Sequence, residues 1–263
     1  MTIANGFLFF FLYCLGWNAK NKIIVVTGGA AGLGFEIANN FLKAGAKVVI
    51  ILDINEVLGI EAIVKLNTIY GKGKARFIKC DVYKDLEAVS KKILDENERV
   101  DVLVNNAGIL NEYEPRKTLE INAISTIEWS MKFWEHMRKD KGGHGGTIIN
   151  IGSIYSYMVD PFMIFYKASK YALMGFSRSL GHEYNYEKFG VRVLIVCPGL
   201  TKTQMTDKQM AWDEHHEDFD KLTEEHAWQE AEDAGRGVVD IFEAAESGTA
   251  WTVVGGVVEQ YEK

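Results

Sequence analysis

Prolines and pairable cysteines are scarce in this chain. Only three prolines occur in 263 residues, and no Ser- or Pro-rich stretch interrupts them, so nothing marks a linker between domains. With 48% hydrophobic residues, that length suits one domain with a large core. The three cysteines, Cys14, Cys80 and Cys197, are far apart and form no CxxC. An odd, scattered set argues against a disulfide framework and for a reducing compartment, so a cytoplasmic protein is expected. A basic excess is missing too. The net charge of −7 argues against a nucleic-acid partner, which calls for a basic face. Internal repeats and low-complexity tracts are absent.

Charge is also lacking at the start, in "MTIANGFLFFFLYCLGWNA". A signal peptide would carry a basic n-region before the apolar run. A spanning helix needs about 20 mostly apolar residues, and the run from Phe7 to Trp17 is shorter. A core strand is predicted almost at once, at Ile23. The expectation is an apolar N-terminal arm over 1–21, with membrane association not favoured, followed by a single domain over 22–263.

What the chain does contain is an alternation of apolar, β-branched runs with helix-length segments. Strands are predicted at 22–28, 47–53, 75–81, 101–106, 146–151, 191–197 and 250–256. Several are continuously apolar, as in a parallel sheet covered on both faces. In 169–183, Leu173, Phe176 and Leu180 recur at helical steps. The alternation reads as a doubly wound α/β fold with helices on both faces, whose ligands bind at the carboxyl ends of the strands.

The chemistry-bearing motifs fall at those ends. The first strand runs into "TGGAAGLG", where Gly28, Gly32 and Gly34 give GxxxGxG. Such glycines allow a tight turn and a close backbone approach to a pyrophosphate at a helix start. Plain strand–helix punctuation explains a glycine-rich turn equally well. Asp53 ends the second strand, nineteen residues beyond Gly34. There it would accept from adenine-ribose hydroxyls and repel the extra phosphate of NADP, favouring NAD; the structural alternative is a helix N-cap. Asp81 and Val82 follow the third strand, and Asn106 and Gly108 the fourth, where an ordinary structural turn competes with cofactor contact. Ser153 follows the fifth strand and is either a turn residue or a hydroxyl beside a substrate oxygen. Beyond the sixth, Pro198 and Gly199 can turn the chain beside a nicotinamide, and Thr201 or Thr203 can bond its carboxamide. Tyr166 and Lys170 in "FYKASK" are four apart, on one helix face. A nearby ammonium favours the phenolate. Alone, a YxxxK match is weak.

Jointly these motifs are specific. "TGGAAGLG", "CDV", "NNAG", Asn122, Ser153, "YKASK" and "PG" stand in the order and spacing of the classical short-chain dehydrogenase/reductase family, which the chain resembles from Lys22 onward. "VDVLVNNAG", "TLEINAIST" and "GGHGGTIIN" resemble its NAD-dependent 15-hydroxyprostaglandin dehydrogenase and insect alcohol dehydrogenase-like members. The resemblance implies a Rossmann fold with a seven-stranded parallel sheet and a homo-oligomer, with a dimer as first expectation. It implies the catalytic tetrad Asn122, Ser153, Tyr166 and Lys170. It also implies NAD held by Gly28, Gly32, Leu33, Gly34, Asp53, Asp81, Val82, Asn106, Ala107, Gly108, Tyr166, Lys170, Pro198, Gly199, Thr201 and Thr203. No metal is expected, since the adjacent His215 and His216 diverge on a helix. The expected reaction is interconversion of an apolar, secondary alcohol and its carbonyl. The segment 200–230 would cover the substrate, and Ile154, Tyr155, Tyr157, Met158, Phe162 and Met163 would form an apolar wall. A fold kept for binding, storage or scaffolding is the alternative, and the complete tetrad argues against it.

Overall fold

The computed structural model describes residues 17–207 and 212–262. The predicted strands appear as β1 (Ile23–Thr27), β2 (Val48–Asp53), β3 (Ala75–Lys79), β4 (Val102–Asn105), β5 (Gly146–Ile151) and β6 (Val191–Pro198). Two short strands follow, β7 (Thr201–Lys202) and β8 (Gln229–Glu230), then β9 (Ala250–Val254) and β10 (Val257–Tyr261). The main sheet runs β10-β9-β6-β5-β4-β1-β2-β3, and β7 pairs separately with β8. Its order reverses between β1 and β4, so a cleft opens there at the carboxyl ends.

The expectation of seven strands needs one correction. Seven are parallel, but β10 adds an antiparallel edge beside β9. Gly255 (φ 57°) and Gly256 (φ 77°) form the two-residue turn between them. Both need left-handed backbone, as a hairpin turn of this kind demands. In the sequence, "GG" after an apolar run reads equally as the end of a strand and as a hairpin turn.

Strand alternation sorts the core. Ile24 and Val26 point to a cluster with Ile37 and Phe41 of α1 (Gly32–Lys43), Leu66 of α2 (Glu56–Tyr70), and Val238 and Phe242 of α9 (Ala231–Ala244). Ile23 and Val25 point the other way, to Ile93 of α3 (Leu86–Glu96) and to Trp129 and Phe133 of α5 (Thr126–Met137). Covering both faces is why these strands read as continuous apolar runs. The remaining helices are α4 (Pro115–Leu119), α6 (Ile164–Leu180), α7 (Glu183–Phe189) and α8 (His216–Glu224).

The expected 1–21 arm falls in two parts. Residues 1–16 lie outside the described residues. Trp17 to Asn21 lie on the domain: Ala19 is fully buried, and the Asn21 amide donates to the Gly45 carbonyl at 3.0 Å. The Trp17 ring covers the guanidinium of Arg192 at 3.9 Å. Arg192 is itself completely buried and donates to the Phe242 and Ala245 carbonyls, each at 2.7 Å. It thereby caps the carboxyl end of α9, where a cation is favoured. Burial pushes its pKa down to about 9. Among the described residues no helix is long and apolar enough to cross a membrane.

Candidate active site

The cleft at the strand ends has a volume of about 660 Å³. Every expected site residue except Asn122 lies on its wall.

At one end sits the glycine-rich turn. A Cβ on Gly34 would come within 2.1 Å of the Gly28 carbonyl oxygen, and one on Gly28 within 2.9 Å of the Ala107 Cα. Neither position tolerates a side chain, so bare backbone lines the cleft. Helix α1 starts here with no side-chain cap and no acidic residue in its first turn. Its orphan N–H groups therefore face the cleft and suit an anion such as a pyrophosphate. Leu33 belongs to the same turn. Asn106 fastens β4 to it, donating to the Thr27 and Gly28 carbonyls at 3.1 Å each. Its structural role is thus plain, and it lines the cleft as well.

Asp53 is not the helix cap that the structural alternative proposed. Asn55 caps α2, accepting from Leu58 N at 3.1 Å. The Asp53 carboxylate accepts from Ala30 N at 3.1 Å and from Asn55 N at 2.9 Å. One carboxylate is thereby fixed against the glycine turn, with lone pairs left for a diol. Asp81 stands on the cleft wall and accepts from Tyr83 N at 3.1 Å. Thr201 bonds the Gly199 carbonyl and the Gln229 amide. Thr203 lies against Gly32, which a Cβ there would meet at 3.3 Å.

Ser153, Tyr166 and Lys170 converge at the other end. Ser153 closes β5 and also caps a short 3₁₀ turn, accepting from Tyr155 N at 3.2 Å while Ser156 bonds back to its amide at 3.1 Å. It is a cap residue and a cleft residue at once. Lys170 places its ammonium 5.5 Å from the Tyr166 ring centre and donates to the Ile151 carbonyl at 2.8 Å. The electrostatics depart from expectation. Burial dominates and pushes the Tyr166 phenol up to about 12, with a hydrogen bond to Ser153 opposing it. Burial likewise pushes the Lys170 ammonium down to about 8. Desolvation is the largest effect on both groups and favours the neutral form of each.

Asn122 stands behind the wall, fully buried. It lies in a π-helical turn, Glu120–Ser125, rather than a regular helix. Its side chain accepts from Ile109 N at 2.8 Å and donates to Ile109 O at 2.8 Å and Ser169 Oγ at 3.2 Å. The side chain is thus committed to pinning the chain after Gly108. A π-turn breaks the i→i−4 ladder, as π-bulges near functional sites commonly do.

The apolar wall is real in part. Ile154, Tyr155 and Met163 line the cleft together with Leu110, Leu200 and Met205. Phe162 instead packs on Phe219 of α8, and Tyr157 stacks on Tyr261 at 4.4 Å. Core packing accounts for those two. Of the expected covering segment, Met205 lines the cleft, Met210 lies outside the described residues, Trp212 packs on Phe165 and Phe219 on Phe162.

Three features carried no sequence signal. Met163 precedes α6 in left-handed backbone, φ 50°. Lys167 is buried and ion-paired with Asp160. Glu112 is 4% exposed and accepts from the Phe165 and Tyr166 amides at 3.0 and 2.8 Å. Long-range pairing of this kind leaves no local pattern. Cys80 and Cys197 are buried and free of disulfides. Among the described residues no group of three or more His, Cys, Asp or Glu could hold a metal ion.

A family model described as short chain dehydrogenase matches residues 22–214. The chain belongs to the short-chain dehydrogenase family. It is 38% identical over 192 residues to 15-hydroxyprostaglandin dehydrogenase [NAD(+)] of Rattus norvegicus, covering 72% of each chain. It is 31% identical over 239 residues to alcohol dehydrogenase 1 of Ceratitis cosyra, covering 89% of this chain and 92% of that one. In fold it is similar to levodione reductase, with a TM-score of 0.78 at 20% identity over 90% of this chain and 97% of the other.

Proposed function

We propose that the protein is an NAD-dependent alcohol dehydrogenase that interconverts an apolar, secondary alcohol and its carbonyl. The observation that carries the reading is the convergence of Ser153, Tyr166 and Lys170 on an apolar pocket in the same cleft as an uncapped helix N-terminus. The residues present fit a dinucleotide: the bare glycine backbone and the α1 amides for the pyrophosphate, Asp53 for the adenine ribose, and Thr203 near the nicotinamide. The Asp53 charge favours NAD over NADP, in keeping with the NAD(+) in the name of the rat relative.

When bound, NAD would supply the hydride acceptor and a positive charge. Ser153 holds the alcohol oxygen within reach of Tyr166. The Tyr166 phenolate takes the hydroxyl proton as the C–H electron pair leaves the carbinol carbon, which becomes the carbonyl carbon. Since burial holds Tyr166 high, its ionisation requires positive charge beyond Lys170. Lys170 anchors the cofactor ribose and steadies the phenolate. The wall of Ile154, Tyr155, Met163, Leu110 and Leu200 favours an apolar substrate by burial of its surface.

NADH formation across a panel of apolar and polar alcohols tests the reading. Turnover of apolar secondary alcohols is expected, and NAD binding with no turnover across the panel would sink it. The homodimer and the cytoplasmic location belong to the same proposal and are checked by light scattering and by fractionation.

A further inference from the structure

The first turn of α6 has amide donors with no partner inside the helix. Met163, at the cap position, offers no side-chain acceptor. The cap arrives from about fifty residues away. Both carboxylate oxygens of Glu112 are spent on it, Oε2 on Phe165 N and Oε1 on Tyr166 N. A carboxylate is favoured at a helix amino end, and the doubly bonded geometry fixes the backbone of Tyr166 in both rotation and height. Met163 holds a left-handed backbone immediately before this turn. That conformation is unfavourable in an L residue and persists only where neighbours enforce it. Its side chain lines the cleft.

The same residue holds the covering segment. The Glu112 carbonyl accepts from the Trp212 indole N–H at 3.1 Å. Its neighbour Tyr113 accepts from Asp213 N at 3.2 Å and donates to Asp213 Oδ1 at 3.1 Å. The Trp212 ring lies against Phe165 at 6.2 Å and His215 at 5.6 Å. Phe162 completes the contact with Phe219 of α8. One residue thus bonds the catalytic helix through its side chain and the covering segment through its backbone.

We propose that Glu112 is a positioning residue that couples docking of the 212–224 segment to the placement of Tyr166. The proposal rests on the reading of Tyr166 as the proton acceptor. It adds that Tyr166 is held in place by a residue that also registers the covering segment. The bonds made by Glu112 go to α6 and to Trp212 rather than to the glycine turn or Asp53, so NAD affinity should change far less than turnover.

The test combines kinetics with amide hydrogen exchange on the full chain. Glu112→Ala should lower kcat per NAD-binding site by about 10–100-fold, as small misplacements of reacting groups do, while the Kd for NAD stays within about twofold. The Phe165 and Tyr166 amides should exchange at least about tenfold faster. Glu112→Gln keeps the side-chain volume and one acceptor oxygen, so it should fall between wild type and Glu112→Ala in both measurements. It also decides the matter if the alanine variant does not fold. Trp212→Phe removes the indole donor and part of the ring while keeping an aromatic side chain. It should raise the substrate KM several-fold and also speed exchange at Phe165 and Tyr166, because the two sides are coupled. Unchanged kcat per NAD-binding site in both Glu112 variants would overturn the positioning role. Unchanged exchange at Phe165 and Tyr166 in Trp212→Phe would overturn the coupling. If wild type binds NAD and oxidises no alcohol while the exchange effects appear, the proposed activity fails and the coupling stands.

Discussion

Lys170 holds its ammonium 5.5 Å from the centre of the Tyr166 ring, tethered to the Ile151 carbonyl at 2.8 Å. That tether sets the lysine height on α6 and leaves its other N–H donors free to face the cleft. Lys170 is buried and Tyr166 half-buried on the cleft wall, and each is pushed toward its neutral form, the phenol to about 12 and the ammonium to about 8. The pair is therefore poised for the arrival of charge.

Tyr166→Phe should keep the fold and NAD binding, since the ring packs as before, and lose the proton acceptor. Turnover should fall by about 10²–10⁴-fold, the range for a positioned acid–base group. Undiminished turnover would remove Tyr166 from the mechanism.

Lys170→Met should abolish most turnover and weaken NAD binding. Its effect on stability has the opposite sign. The Lys170 pKa in the fold, about 8, lies below the ordinary lysine value, so the unfolded chain binds the extra proton. Below pH 8 both states are charged and the burial penalty is fully present, on the order of 3 kcal/mol. Between pH 8 and about 10.4 the folded lysine is neutral and the penalty is relieved as pH rises. Without cofactor at pH 7, Lys170→Met should melt no lower than wild type, and any advantage should shrink toward pH 10. Calorimetry at both pH values checks this. A variant that melts well below wild type by an amount independent of pH contradicts it.

Asp53→Ala should lower efficiency with NAD and narrow discrimination against NADP. It also removes acceptors from Ala30 N and Asn55 N, so the glycine turn should loosen, while the α2 cap survives on Asn55. A wild-type preference for NADP in side-by-side kinetics would show the charge argument to be wrong.

Two truncations isolate what Trp17 and Ala19 contribute. Deleting 1–16 keeps both residues and serves as the reference. Deleting 1–19 removes Trp17 from Arg192 and the buried Ala19. That should cost about 2 kcal/mol, from lost apolar burial and the cation–π contact. Equal melting temperatures for the two truncations would mean that Trp17 contributes nothing to the fold.

The sequence by itself determined the layered fold and most of the cleft. Seven strands were legible because both faces of a parallel sheet are covered, which writes each strand as an apolar run. The glycine turn, Asp53, Ser153, Tyr166 and Lys170 were legible because each sits at a strand or helix end, where local spacing fixes its place. Only the tertiary structure decided the rest. The antiparallel β10 was hidden because two glycines read as a strand end and a hairpin turn alike. Asn122 proved to face Ile109 because a π-turn is set by packing, and no periodicity announces it. The charge state of Tyr166 depended on how much water burial removes, a quantity no spacing contains. Glu112 and Arg192 cap helices distant in sequence, α6 and α9. Their partners are backbone groups, which every residue carries, so no residue pattern could have pointed to them.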